Sequence, residues 1–162
     1  MKELSEMEVL HRCAAYCSTA ERCVQDVKRK MKNAGLPEEA CGRLLARLQE
    51  GKYIDEERYA RSFVNDKLRF NKWGRAKILY ELQKKGIPSA ICNDALSSID
   101  ETEYINLLFA VLETKRRSLR TADGTDLYRK LMRFAQGRGF GMRESSACLK
   151  RLLKDVEYDD ME

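Results

Sequence analysis

Apolar residues recur at intervals of three and four along almost the whole chain, and the stripes break at nearly regular distances. The middle of the chain reads most clearly. Tyr59, Ala60, Phe63, Val64 and Leu68 form one stripe and predict a helix from about Glu56 to Phe70. Asp55 suits its N-cap, while Glu56 and Glu57 suit the positive end of its dipole. Gly74 opens a second helix whose inner face is Ile78, Leu79 and Leu82. Gly86 supplies the left-handed residue that ends it, and Ile87 folds back. Pro88 fits the first turn of a third helix that buries Ile91, Ala95 and Leu96.

The same grammar appears on both sides. Ile54-Asp55-Glu56-x-x-Tyr59 recurs as Ile99-Asp100-Glu101-x-x-Tyr104, and Leu4-Ser5-Glu6 stands in the equivalent place near the start. A helix-ending glycine with an apolar follower occurs as Gly35-Leu36, Gly86-Ile87 and Gly139-Phe140. The glycines lie 51 and then 53 residues apart, leaving room for three short helices in each interval. Val27 and Met31 precede the first glycine, and Pro37-Glu38-Glu39 starts a helix through Leu44, Leu45 and Leu48. The opening helix is expected to be the shortest of the set. In the last repeat Ile105, Leu108, Phe109 and Leu112 fill the first helix, Leu131, Met132 and Ala135 the second, and Cys148, Leu149, Leu152 and Leu153 the third. An insertion near 117–125 reads as an exposed polar loop.

The expected fold is therefore all-α, with three tandem three-helix repeats at 1–50, 51–98 and 99–162 in an elongated, straight or curved array. Each helix is too short to persist alone, so packing of its apolar face must stabilise it. With 43% apolar and 35% charged residues and only two prolines, the composition is that of a globular chain. The longest nearly uncharged apolar run, Tyr104 to Leu112, is far below the roughly 20 residues that cross a bilayer. Residues 1–10 carry acids and lack the regions of a secretory signal, so a cytoplasmic protein with reduced thiols is expected.

The formal charge of +5 is a weak signal, but its distribution is uneven. Lys67, Arg69, Lys72, Arg75, Lys77, Lys84 and Lys85 face a single acid, Glu81, in their stretch. A second basic stretch holds Arg116, Arg117, Arg120, Arg129, Arg133 and Arg138, whereas the tail from Asp155 to Glu162 is acidic. Such segregation favours a polyanionic or acidic partner. Arg75 sits at the positive end of its helix dipole, which costs ~0.3 to 1 kcal/mol and calls for an offset. That offset is either an internal pair with an acid near Asp55 to Glu57 or a partner carboxylate or phosphate. Lys77 and Lys84 share an outward stripe with Tyr80, either a solvated face or part of a docking surface. Phe70 and Trp73 among lysines are candidate base-stacking residues, or they seal the joint between two helices.

Nothing here suggests catalysis: no phosphate loop, no nucleophile elbow and one histidine. The acids at 55–57 and 100–101 are explained by helix starts rather than by metal binding. His11 with Cys13, Cys17 and Cys23 lacks a C-x-x-C knuckle, and a buried thiol stripe is the favoured reading. No catalytic residue, metal or cofactor is expected.

Two stretches carry a resemblance. Gly51-x-Tyr53-Ile54-Asp55-Glu56-Glu57-Arg58-Tyr59-Ala60-x-x-Phe63-Val64, then Lys72-x-Gly74-x-x-x-Ile78-x-x-Glu81-Leu82-x-x-Lys85-Gly86-Ile87, resembles the signature of the RecX family of bacterial regulatory proteins. The resemblance implies three tandem three-helix units and control of the RecA recombinase in DNA repair, recombination and the SOS response. Family members bind the RecA filament on single-stranded DNA and usually restrain its strand exchange, ATP hydrolysis and coprotease activities; many also bind DNA. A monomeric, non-enzymatic regulator is the resulting expectation. The alternative is a helical DNA-binding protein acting without a recombinase partner. The first repeat departs from the family pattern at Cys23-Val24-Gln25-Asp26-Val27.

Overall fold

The computed structural model describes residues 4–119 and 123–160, the last six of these by backbone only. The described residues form nine helices and no strand. They are α1 (Glu6–Thr19), α2 (Val24–Asn33), α3 (Glu38–Glu50), α4 (Glu56–Arg69), α5 (Arg75–Lys84), α6 (Ser89–Ser97), α7 (Glu101–Ser118), α8 (Gly124–Gly137) and α9 (Met142–Asp160). The all-α, repeated three-helix expectation is met. The opening helix is not the shortest, however. At 14 residues α1 equals α4, and α6 with nine is shorter.

Local chemistry sets the helix ends. Ser5, Asp55, Asp100 and Asp123 each accept a hydrogen bond from the backbone N–H three residues on, at 3.2, 3.1, 2.8 and 2.9 Å. The three predicted glycine stops share one geometry. Gly35, Gly86 and Gly139 have φ of 92°, 77° and 94°, the left-handed conformation that a side chain disfavours. The next residue then donates back across the last turn: Leu36 to Met31 and Ile87 to Leu82, both at 3.2 Å, and Phe140 to Ala135 at 3.0 Å. A stop that satisfies the terminal carbonyls three times over turns each stripe back toward its own core.

The chain forms two compact units, one of Met1–Phe63 with Glu81–Ala95, the other of Val64–Tyr80 with Leu96–Glu162. In the first, Val9 and Cys13 of α1, Val27 and Met31 of α2, and Cys41, Leu44 and Leu48 of α3 pack with Ile54. Polar ties complete it. Lys85 Nζ meets Asp26 Oδ1 at 3.0 Å, Gln25 donates to the Lys84 carbonyl at 3.1 Å, and Arg58 Nε meets Glu21 at 2.6 Å. In the second unit α7, α8 and α9 pack on one another through the buried residues Tyr104, Leu108, Leu112, Leu131, Ala135 and Leu149. Each of these leucines contributes about 1.5–3 kcal/mol by leaving water, which is how helices of three or four turns become stable.

Two glycines of the second unit meet face to face. Gly74 N–H donates to the Arg138 carbonyl at 2.7 Å, and Ala76 N–H to that of Gly139 at 3.1 Å. A Cβ on Gly74 would lie 2.4 Å from the Gly139 carbonyl, and one on Gly139 would lie 2.6 Å from the Lys77 backbone nitrogen. Neither residue can carry a side chain without parting the α4–α5 loop from the α8–α9 turn.

Candidate interaction surface

Of the candidate cations that are described, only Lys84 and Lys85 fall in the first unit; the rest belong to the second. Lys85 is engaged internally by Asp26, whose carboxyl is held below its ordinary range: burial pushes it up, and the Lys85 ammonium with the hydrogen bonds from Cys23 more than reverses this. Lys84 is exposed and lies 3.8 Å from Glu81.

In the second unit Arg75 is the most heavily tied. Its backbone N–H, an orphan donor at the start of α5, reaches the Tyr104 hydroxyl at 3.1 Å, and its guanidinium lies 4.1 Å from the Tyr104 ring centroid. It pairs with Glu101 at 2.5 Å and with Glu144 at 3.7 Å. The offset to the dipole is thus internal, but its acids are Glu101 and Glu144 rather than any of Asp55 to Glu57. Partial burial works against the Arg75 charge, but the Glu101 hydrogen bond and charge, together with the electrostatic contributions of Tyr104 and Glu144, outweigh it, so its pKa is raised. Burial likewise pushes the Tyr104 hydroxyl up, keeping it protonated. Arg69 pairs with Glu103 at 3.0 Å, and Arg117 with Glu113 at 2.8 Å.

The aromatic pair divides. Phe70 is 79% exposed, so it seals no joint. Trp73 is half-buried, with the ammonium groups of Lys67 and Lys77 at 5.0 and 4.7 Å from its ring. Lys72, in the left-handed conformation at φ 58°, presents an exposed side chain from the same loop.

The two basic stretches, separate in sequence, meet here. The backbone bonds at Gly74 and Ala76, with Arg138 Nη1 donating to the Asn71 carbonyl at 3.0 Å, fix the α4–α5 loop to the end of α8. Lys72 and Arg138 consequently line one cleft of about 700 Å³ together with Lys115, Leu107, Val111 and Phe134. Arg129 and Arg133 line a different depression of about 420 Å³ with Tyr128 and Met132. Arg116 is half-buried on the last turn of α7. Arg120 and residues 121–122 of the expected insertion lie outside the described residues, as do the side chains of the acidic tail.

Among the described residues no group of three or more His, Cys, Asp or Glu side chains could hold a metal ion. Burial pushes the thiols of Cys13, Cys17 and Cys23 up, making them poor ligands and nucleophiles. No helix of the described residues is long and apolar enough to cross a membrane.

Sequence reasoning missed four participants. Tyr104 was legible as a repeat of Tyr59, but its hydroxyl role was not. Glu144 carried no signal, being 69 residues from Arg75. The half-buried Leu107 and Val111 fall off the stripe that defined the inner face of α7.

Capped three-helix repeats carrying a cationic surface define a class of all-helical repeat proteins. Residues 55–96 match the family model described as RecX, second three-helix domain, and residues 101–149 that of RecX, third three-helix domain. Regulatory protein RecX of Clostridium botulinum (strain Eklund 17B / Type B) is 30% identical over 98% of this chain and 77% of its own length. That of Prosthecochloris aestuarii (strain DSM 271 / SK 413) is 28% identical over 94% of this chain and 99% of its own. The chain belongs to the RecX family of regulatory proteins. Its fold agrees: the crystal structure of RecX from Lactobacillus salivarius superposes with a TM-score of 0.81 at 20% identity, covering 91% of this chain and 96% of that one.

Proposed function

We propose that this chain binds the RecA filament on single-stranded DNA and restrains its recombinase, ATP-hydrolysing and coprotease activities, acting by binding rather than by catalysis. The observation that carries this reading is the convergence of Lys72, Lys115 and Arg138 on one face of the second unit in a member of the RecX family. Among the described residues no acid pairs with Lys72, Arg129 or Arg133, so these charges remain to be matched by recombinase carboxylates or DNA phosphates. Such a regulator works as a cytoplasmic monomer in DNA repair, and repetition lets several weak contacts add along one chain.

The test is ATP turnover by RecA assembled on single-stranded DNA. Substoichiometric protein slows turnover, and Lys72→Glu with Lys77→Glu weakens the effect while leaving the helical circular dichroism unchanged. Undiminished turnover at saturating protein refutes the proposal.

A second reading, DNA binding without a recombinase, is favoured by the exposed Phe70 beside Arg69 and Lys72, a ready stacking platform with cations around it. Under that reading affinity for bare single-stranded DNA equals affinity for the filament at matched salt and falls steeply as salt rises.

A further inference from the structure

Helix α7 is apolar on two faces. One face, Tyr104, Leu108 and Leu112, is buried in the core of the second unit. The other carries Leu107 and Val111, both half-buried, and Ala110, which is exposed; this second face forms the floor of the 700 Å³ cleft, with Phe134 of α8 as its side wall. The α7 part of the lining runs from Asn106 to Ser118. At 1.5 Å per residue that is a trough about 18 Å long. Its lining is cationic as well: Lys115 Nζ and the Arg138 guanidinium lie 4.9 and 5.3 Å from the Phe134 ring centroid, Lys72 is the third basic residue, and the lining holds no acid.

We infer that this trough is a docking groove for an acidic amphipathic helix of a partner protein. An apolar stripe at helical spacing would lie on Leu107, Ala110 and Val111, while carboxylates on its flanks would meet Lys72, Lys115 and Arg138. The aliphatic floor distinguishes this occupant from a nucleic acid. Phosphates need cations along the whole track, and unpaired bases need an open aromatic face, whereas the only ring here is already faced by two cations. A trough of this length holds about 12 residues of helix, or three turns. The inference does not rest on the recombinase reading, because it concerns a groove that any protein of that chemistry could fill.

The test uses a fluorescein-labelled helical peptide of about 14 residues with leucines along one face and glutamates on both flanks, read by anisotropy at ~150 mM salt. Its counterpart carries lysines in place of the glutamates, and an unlabelled oligothymidylate serves as competitor. The acidic peptide binds at least about tenfold more tightly than the basic one. Ala110→Glu, an exposed helical position where folding is preserved, weakens it about tenfold or more, and Lys115→Glu about fivefold or more. Arg129→Glu, in the neighbouring depression, changes it less than about twofold. The inference is overturned if the acidic peptide fails to bind at ~1 mM, if both peptides bind alike, or if Ala110→Glu has no effect. Displacement by the oligothymidylate that is itself abolished by Ala110→Glu also overturns it, and assigns the groove to nucleic acid.

Discussion

Replacing Gly74 by alanine probes the contact that brings the two basic stretches together. The added Cβ would stand 2.4 Å from the carbonyl carbon and oxygen of Gly139 and from the Phe140 nitrogen. All three are backbone atoms, so no side chain can swing aside, and the segments must part by roughly 1 Å to reach ordinary contact. That separation breaks or strains the bonds from Gly74 to Arg138 and from Ala76 to Gly139. Two backbone hydrogen bonds at ~1 kcal/mol each, plus about 1–3 kcal/mol for overpacking, give a loss of roughly 3–5 kcal/mol. The comparison is Gly42→Ala. Gly42 lies within α3 and has nothing within 4 Å of an added Cβ, so helix propensity alone should stabilise the protein by about 0.5–1 kcal/mol. Urea unfolding followed by circular dichroism reads both changes as shifts in midpoint at constant slope. A loss below ~1 kcal/mol for Gly74→Ala would refute the reasoning, since overpacking against backbone cannot cost so little.

Two further outcomes follow from the polar contacts. Tyr104→Phe leaves the Arg75 N–H without its acceptor and costs about 1–3 kcal/mol, read as a fall in the urea unfolding midpoint. The Asp26 carboxyl has a depressed pKa in the folded state. Its stabilisation is therefore complete above the unfolded value of ~3.9 and lost as pH falls through the lower folded value. Asp26→Asn should lower stability at pH ~7 by about 0.5–1 kcal/mol, a figure reduced for the solvent reaching Lys85, and should flatten the loss of stability below pH ~4. An unchanged acid limb in the variant would remove Asp26 from the account.

The legible part of this molecule is what neighbours in sequence decide. Asp55 caps α4 because its carboxylate reaches an N–H three residues away, and Gly86 ends α5 because only glycine enters the left-handed region without strain. Both interactions close within a turn of helix, so spacing alone reveals them. The length of α1 was misjudged for a related reason. Its polar residues, with His11 and Arg12 among them, blur the apolar stripe, yet Val9 and Cys13 are buried one turn apart in a helix that runs to Thr19.

From the chain alone came the helices and their caps, which depend on residues a few positions apart, and the threefold recurrence and uneven charge, which can be read along the sequence without knowing any contact. Tertiary structure alone decided that Arg75 finds Glu101 and Glu144, that Gly74 abuts Gly139, and that Lys72, Lys115 and Arg138 line one cleft. Those pairings join positions far apart in sequence, where many charges and glycines compete on equal terms. The packing of α7, α8 and α9 and the docking of the α4–α5 loop on the end of α8 select among them, and at Gly74 and Gly139 the backbones come close enough to exclude every side chain but hydrogen.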